Sequence, residues 1–267
     1  MLVDTHCHLD AAEFAGDRDA VMAAARAAGV AAIVVPAVAP GNFAAVRACC
    51  ERQAGCHPAY GTHPLFLGAL DETALDALRA CLERELAGSH PPVAVGEIGL
   101  DFYVPGFDAA RQERFFIEQL KIARDFGLPV LLHVRRSVNA VLKCLRRTGV
   151  RGGIAHAFNG SRQQADAFLD LGFRLGFGGA MTFPRATRIR ALAAALPPEA
   201  IVLETDAPDI PPVWLAGGRN APAELPRIAG VLADLRGVER AEVERFTTGN
   251  AVSLLRLPMA DANAETR

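Results

Sequence analysis

The chain alternates short apolar runs with longer segments in which apolar and polar residues mix. The apolar runs are continuous, a pattern that predicts strands buried on both faces of a parallel sheet. The longer segments repeat apolar residues every three or four positions, which predicts amphipathic helices. In the segment 71–87, for example, this spacing is shown by Leu75, Leu78, Leu82 and Leu86, with Gly88 as a terminator.

The two patterns predict a regular succession of strands and helices. The predicted strands are 2–3, 31–36, 58–61, 93–96, 129–132, 153–155, 173–176 and 200–203. The predicted helices between them are 17–28, 41–54, 71–87, 109–126, 138–148, 161–171 and 187–196. Beyond residue 220 only helices are predicted, and a polar tail follows Pro258.

Eight strand–helix units in 267 residues are typical of a TIM-like (β/α)8 barrel, an α/β fold of about 250 residues. A doubly wound open sheet is the competing arrangement, and both folds carry their sites at the carboxyl ends of strands. We see no linker or charge run that would divide the chain. We therefore expect one domain over residues 1–258 and a loose tail over 259–267.

Composition narrows the classes of function. The 28 basic and 30 acidic residues nearly balance, which disfavours a basic sheath for non-specific duplex binding. No apolar stretch approaches the ~20 residues of a membrane span, and the start lacks the pattern of a signal peptide. The six scattered cysteines are expected to be reduced thiols, so we expect a cytoplasmic protein. No obligate protein partner is evident.

Polar residues follow most of the predicted strands directly. If the first strand continues, His6 and His8 point to the same side, ~7 Å apart, and can share a divalent ion. A lone histidine after a strand is more often a hydrogen-bonded core residue, but a buried carboxylate without a partner is costly. Because barrel enzymes assemble their sites at this rim, the coincidence predicts one metal site. The polar residues at this rim are His63 and Glu204 together with the candidate ligands His6, His8, Glu97, His133, His156 and Asp206.

Four imidazoles and two carboxylates exceed the needs of one tetrahedral zinc ion. Six ligands divide naturally over two ions ~3.5–4 Å apart, with Glu97 as the candidate bridge. Nitrogen and oxygen donors suit Zn²⁺, Mn²⁺ or Mg²⁺ and do not distinguish among them.

The motifs around these residues resemble those of TatD-type metal-dependent hydrolases, within the amidohydrolase superfamily. The resemblance extends over residues 2–256, and 178–186 looks most like the YjjV-type branch. It is carried by Asp4-Thr5-His6-Cys7-His8, Gly96-Glu97-Ile98-Gly99-Leu100-Asp101, His133, His156 and Glu204-Thr205-Asp206-Ala207-Pro208.

The resemblance implies a distorted TIM barrel with two divalent ions, used as a 3′–5′ exonuclease on DNA, with a preference for single-stranded ends. Carried over by motif, one ion would take His6, His8, Glu97 and Asp206. The other would take Glu97, His133 and His156. The residues after His133 and His156 differ from common family choices, which leaves substrate preference open.

The implied mechanism assigns roles to further residues. Asp206 is the expected general base, and His63, outside both ligand sets, is expected to contact the phosphate. Arg135 is expected to bind a second phosphate, whereas Arg136 is expected to turn away. Glu204 has two equal alternatives: recruiting an extra Mg²⁺ with the substrate, or orienting a histidine ligand. At the rim, Phe102 and Tyr103 are expected to stack a terminal base.

Two rival functions remain open. The same centre could hydrolyse another ester or amide, such as a D-aminoacyl-tRNA ester or a small-molecule substrate. Alternatively, the barrel could be a non-catalytic binding partner, although such a protein has no need of six metal ligands and a base.

Overall fold

The computed structural model of the protein describes residues 1–150 and 152–258. Eight parallel strands form one sheet in sequential order. The strands are β1 (Leu2–Asp4), β2 (Val30–Pro36), β3 (Cys56–Tyr60), β4 (Ala94–Asp101), β5 (Val130–Arg135), β6 (Gly153–Ala155), β7 (Phe173–Phe177) and β8 (Ile201–Leu203). The α-helices are α1 (Arg18–Ala27), α2 (Phe43–Arg52), α3 (Thr73–Leu86), α4 (Ala109–Phe126), α5 (Val138–Thr148), α6 (Arg162–Asp170), α7 (Thr187–Ala195), α8 (Leu225–Arg236) and α9 (Arg240–Leu255).

The sequential strand order confirms the TIM-like barrel and excludes the doubly wound sheet, in which the strand order would reverse. The first and last strands meet along a seam made of hydrogen bonds. Thr5 N–H donates to the Leu203 carbonyl at 3.1 Å, and Asp206 N–H donates to the His6 carbonyl at 2.8 Å. The buried Asp4 carboxylate accepts from the Thr205 N–H at 3.0 Å and from its hydroxyl at 2.6 Å.

Alternating positions on each strand divide the core into an inner and an outer part. The inner part fills the barrel with small and branched side chains that include Val3, Val34, Leu131 and Val202. Helix α9 packs against this inner cluster through Ala251 and Leu255. Asn250 of the same helix donates to the Ile201 carbonyl at the start of β8. The helix therefore closes the amino-terminal end of the barrel, and the opposite end stays open.

Two strands continue several residues beyond their predicted ends. The apolar run suggests that β4 ends at Glu97, but β4 continues to Asp101, and β5 likewise continues to Arg135. Between β4 and β5 the register shifts, because two residues separate Val95 from Ile98 while one separates their partners Val130 and Leu132. Such a bulge re-aims a side chain, and Glu97 lies within it.

Further expectations concern the cysteines, membrane-spanning helices and the tail. All six cysteines are free and buried. Within 1–150 and 152–258, no helix is long and apolar enough to cross a membrane. The tail expected over 259–267 lies outside the described residues.

Candidate metal centre

The histidines and acids predicted at the strand ends meet around Glu97 in the open end of the barrel. Glu97 is only 2% exposed, and its two carboxylate oxygens face two different groups of imidazoles. The inner face of β5 carries Leu131 and then His133, because side chains alternate along a strand. By the same alternation His156 lies two positions beyond Ile154, which belongs to the inner core.

The first group surrounds Oε2 of Glu97. His6 Nε2 lies 3.2 Å and His8 Nε2 lies 3.4 Å from this oxygen, and the two nitrogens are 3.3 Å apart. Asp206 Oδ1 is 3.6 Å from His6 Nε2 and 3.8 Å from His8 Nε2. Strand β1 ends at Asp4, so His6 and His8 converge from the loop beyond it rather than from the continued strand that the sequence suggested.

The second group surrounds Oε1 of Glu97. His133 Nδ1 lies 2.9 Å, His156 Nε2 lies 3.0 Å and His63 Nε2 lies 3.4 Å from this oxygen. The His6 and His156 rings are stacked, with their centroids 4.0 Å apart. The two groups are therefore adjacent, and Glu97 is shared between them.

These distances fit metal ions. Two donor atoms that share one ion at ~2.1 Å lie roughly 3.0–3.4 Å apart in tetrahedral or octahedral geometry. Three sets of side chains bring ligand atoms within 4.8 Å of one another: His6, His8 and Glu97; His6, His156 and Asp206; and His63, Glu97 and His133. The donor set is nitrogen and carboxylate oxygen, which divalent cations of the Zn²⁺, Mn²⁺ and Mg²⁺ type accept.

The buried carboxylate of Glu97 and the imidazoles around it shift one another's pKa values. Burial would raise the pKa of Glu97, but the surrounding histidines hold it well below its usual range. Burial likewise opposes charge on His8, but Glu97 and Asp206 outweigh burial and raise the pKa of His8 to about 9. Despite its burial, His156 has a pKa well above the usual range because of Glu97 and Glu204. Burial lowers the pKa of His6 to about 3.

Asp206 follows β8 and has left-handed backbone geometry, with φ of 58°. Burial raises the pKa of its carboxyl to about 6. The side chain is 12% exposed, so it borders the open cleft instead of lying beneath the imidazoles. A carboxylate in this position can both contact an ion and reach a water molecule in the cleft.

His63 lies closer to the second group than the sequence suggested, but its hydrogen bonding distinguishes it. The Leu65 N–H donates to His63 Nδ1 at 3.1 Å. A neutral imidazole that accepts at Nδ1 carries its proton on Nε2, and burial lowers the pKa of His63. His63 therefore presents an N–H donor toward Glu97 and the cleft, whereas a metal ligand needs a free lone pair there.

Glu204 is 1% exposed and lies below the second group. Its Oε1 accepts from the Ala157 N–H at 2.5 Å and is 3.7 Å from His156 Nδ1. Gly176 of β7 makes room for this carboxylate, since a Cβ there would overlap Oε2 and lie 2.7 Å from Cδ. The contact with His156 Nδ1 is longer than a hydrogen bond, and neither His156 Nδ1 nor Glu204 Oε2 has a hydrogen-bond partner within the described residues. Glu204 is therefore an ionic neighbour of His156.

The rim residues differ from expectation in one respect. Phe102 and Tyr103 are both exposed at the cleft, at 39% and 47%, and two arginines contact the Tyr103 ring. The guanidinium carbon of Arg135 lies 3.9 Å and that of Arg136 lies 4.6 Å from the Tyr103 centroid. Arg136 thus does not turn away. The Tyr103 ring contacts two arginines at the mouth, and both aromatic rings remain exposed to the cleft.

Sequence reasoning missed Asp101 as a member of the site. Its Oδ2 lies 3.0 Å from His133 Nε2, and the residue is 1% exposed. The available signal was spacing, because Asp101 follows Glu97 by four positions on one strand and so shares its face.

The open end of the barrel is a broad cleft of about 1640 Å³, larger than a typical small-molecule pocket. Its lining includes Glu97, His63 and Asp206 at the base and Arg135, Arg136 and Arg188 nearer the mouth. The base collects donors for cations, and the exposed part of the lining carries these arginines beside the acids Glu13 and Asp209. The arginines can bind phosphate groups of a polymer that reaches the base.

Comparison with known proteins gives consistent matches over nearly the whole chain. Residues 3–256 match the family model described as TatD related DNase. The Escherichia coli K12 protein YjjV, described as an uncharacterized metal-dependent hydrolase, is 40% identical over 96% of this chain and 98% of its own length. Its crystal structure superposes with a TM-score of 0.92 over the same shares of the two chains.

A second relative has a named activity. The 3′-5′ ssDNA/RNA exonuclease TatD of Cronobacter sakazakii is 34% identical over 260 residues, which cover 95% of this chain and 97% of that protein.

Proposed function

Because this chain belongs to the TatD family of metal-dependent hydrolases, we propose that it hydrolyses phosphodiester bonds of DNA as a 3′–5′ exonuclease on single-stranded ends. The observation that carries the proposal is the division of donors over the two oxygens of Glu97, at the base of a cleft with arginines at its mouth. The exonuclease name of the Cronobacter relative supports the substrate class.

The proposed ligands of one ion are His6, His8, Glu97 and Asp206, and those of the other are Glu97, His133 and His156. When bound, two divalent ions of the Mg²⁺, Mn²⁺ or Zn²⁺ type would make water more acidic and neutralise charge on the phosphoryl oxygens. The neighbours of Glu97 would hold it deprotonated for this purpose.

In the reaction, Asp206 accepts the proton of the attacking water on its carboxylate, acting as general base. His63 donates its Nε2–H to a phosphate oxygen, which is consistent with the bond that its Nδ1 accepts from Leu65. Donors aimed at developing negative charge are a large contribution to catalysis.

Binding of the polymer would use the mouth of the cleft. Arg135, 50% exposed at its side chain, holds a second phosphate through its forked donors while the Tyr103 ring fixes its direction. Phe102 and Tyr103, both exposed at the rim, stack the terminal base. Glu204 acts indirectly in this scheme, because it lies beneath His156 as an ionic neighbour. The proposal places the enzyme in the cytoplasm, and its six free thiols suit a reducing compartment.

The test compares substrates on one preparation. A single-stranded oligonucleotide labelled at its 5′ end should yield a ladder of products shortened from the 3′ end. Excess chelator should abolish this activity, and Mg²⁺, Mn²⁺ or Zn²⁺ should restore it. Full activity in chelator would refute the metal mechanism. Faster turnover of an aminoacyl-tRNA or a small ester than of DNA would favour the rival hydrolase, and metal binding without turnover on any substrate would favour a binding protein.

A further inference from the structure

His133 differs from the other candidate ligands in the nitrogen that it presents. His6, His8 and His156 face Glu97 through Nε2, whereas His133 faces it through Nδ1, at 2.9 Å. The other nitrogen of His133, Nε2, lies 3.0 Å from Asp101 Oδ2. The ring is therefore held between two buried carboxylates.

Asp101 has other partners that fix its orientation. Its Oδ1 accepts from the N–H groups of Tyr103 at 2.8 Å and Val104 at 3.1 Å. Its own N–H donates to Gln112 Oε1 at 2.9 Å. These bonds leave Oδ2 directed at His133 and allow little rotation of the carboxylate.

We propose that Asp101 is a positioning residue that keeps the proton of His133 on Nε2 and so leaves the Nδ1 lone pair free to bind a metal ion. An ionised carboxylate can only accept hydrogen bonds, so the imidazole must donate from Nε2. The neutral ring then has its free lone pair on Nδ1, next to Glu97. The inference rests on the proposed metal centre but not on the identity of the substrate.

The same carboxylate also shapes the rim. Through Oδ1 it fixes the loop that carries Tyr103, and this ring contacts Arg135. One side chain thus holds both a candidate metal ligand and the aromatic support of the arginines. The two functions use different oxygens, so they can be separated by mutation.

The substitution Asp101→Asn separates them. An asparagine keeps the shape, and its oxygen can accept both loop N–H groups only if its NH₂ group points at His133. The reverse orientation would place the NH₂ donors against two other donors. The two hydrogen bonds from the loop outweigh the single one to His133, so the introduced NH₂ group donates to His133 Nε2. The proton of the neutral ring then moves to Nδ1. The loop then stays in place while Nδ1 can no longer bind an ion.

The experiment measures bound ions by titrating metal-free protein with Zn²⁺. Wild type should bind two ions, and Asp101→Asn should bind the second about 10–100-fold more weakly with unchanged thermal unfolding of the metal-free form. Asp101→Ala should lose both the second ion and part of the stability. The control is Asp10→Asn, which removes a negative charge near His8 and should keep both ions.

A second measurement uses wild type alone and does not depend on the folding of any variant. In protein loaded with ¹¹³Cd²⁺ and labelled with ¹⁵N, His133 should show metal coupling at Nδ1 and a proton at Nε2. Coupling at Nε2 would overturn the proposal, as would two tightly bound Zn²⁺ ions in Asp101→Asn. Wild type that binds no divalent ion would instead refute the metal centre itself.

Discussion

The substitution Gly176→Ala tests the packing beneath the metal centre. A methyl group at this position in β7 would overlap Glu204 Oε2 and lie 2.7 Å from Cδ. Carbon atoms in contact are normally ~3.5 Å or more apart, so the carboxylate must retreat by at least about 0.8 Å, and Oε2 by more. Its retreat is opposed by the bond from the Ala157 N–H.

The expected cost is about 2 kcal/mol, within the range for overpacking a buried position. The entropy of unfolding is about 2.1 cal/mol/K per residue, or about 0.56 kcal/mol/K for 267 residues. The expected fall in Tm is therefore about 4 °C for the metal-free protein. Since the displaced carboxylate faces His156, metal binding should weaken as well.

The assay is thermal unfolding in chelator of wild type, Gly176→Ala, Glu204→Ala and the double variant. The three atoms nearest to the added Cβ all belong to Glu204. The penalty of Gly176→Ala should therefore nearly vanish when Glu204 is already alanine, giving a coupling of about 2 kcal/mol. Gly249→Ala in α9 meets no atom within 4 Å and should stabilise the protein by about 0.5–1 kcal/mol. If the penalties of Gly176→Ala and Glu204→Ala add up to that of the double variant within ~0.5 kcal/mol, the steric argument is refuted.

Three further predictions concern the centre itself. Asp206→Asn should lose turnover while retaining most of the bound metal, and unchanged turnover would rule out the base role. His63→Ala should slow phosphodiester cleavage without loss of metal, whereas metal loss in this variant would show that His63 is a ligand. Because the pKa of His8 is raised to about 9 and that of His156 is also raised, both rings are protonated at pH 7 in the metal-free protein. Zn²⁺ binding should release protons at pH 7, which an indicator dye detects. The apparent affinity should rise with pH at least until His8 is neutral near pH 9. Binding without proton release at pH 7 would contradict these shifts.

The sequence predicted the barrel well because its strands are buried on both faces. Continuous apolar runs mark such strands directly, and the helices between them end at glycines such as Gly127, which has a left-handed backbone after α4. The carboxyl ends of parallel strands share one edge, so His133 and His156 could be placed together without coordinates.

Other features of the centre depend on contacts that the pattern does not contain. The bulge at Glu97 is a matter of register between β4 and β5, which the run of apolar residues cannot show. The contact of Arg135 with the Tyr103 ring depends on how the loop after β4 packs against the end of β5. The proximity of His63 to Glu97 follows from the loop beyond β3, where periodicity gives no information.

The seam between β1 and β8 has a consequence for the timing of enzyme production. His6 and His8 leave the ribosome first. Asp206 follows some 200 residues later, as does Leu203, whose carbonyl accepts the hydrogen bonds of Thr5. Synthesis proceeds at about 5–20 residues per second, so for about ten seconds or more the growing chain holds His6 and His8 without the complete ligand set. A truncated or stalled polypeptide that lacks β8 cannot assemble the proposed nuclease. If the proposed function holds, hydrolytic competence arises only when the barrel is complete, and unfinished chains do not cleave nucleic acid.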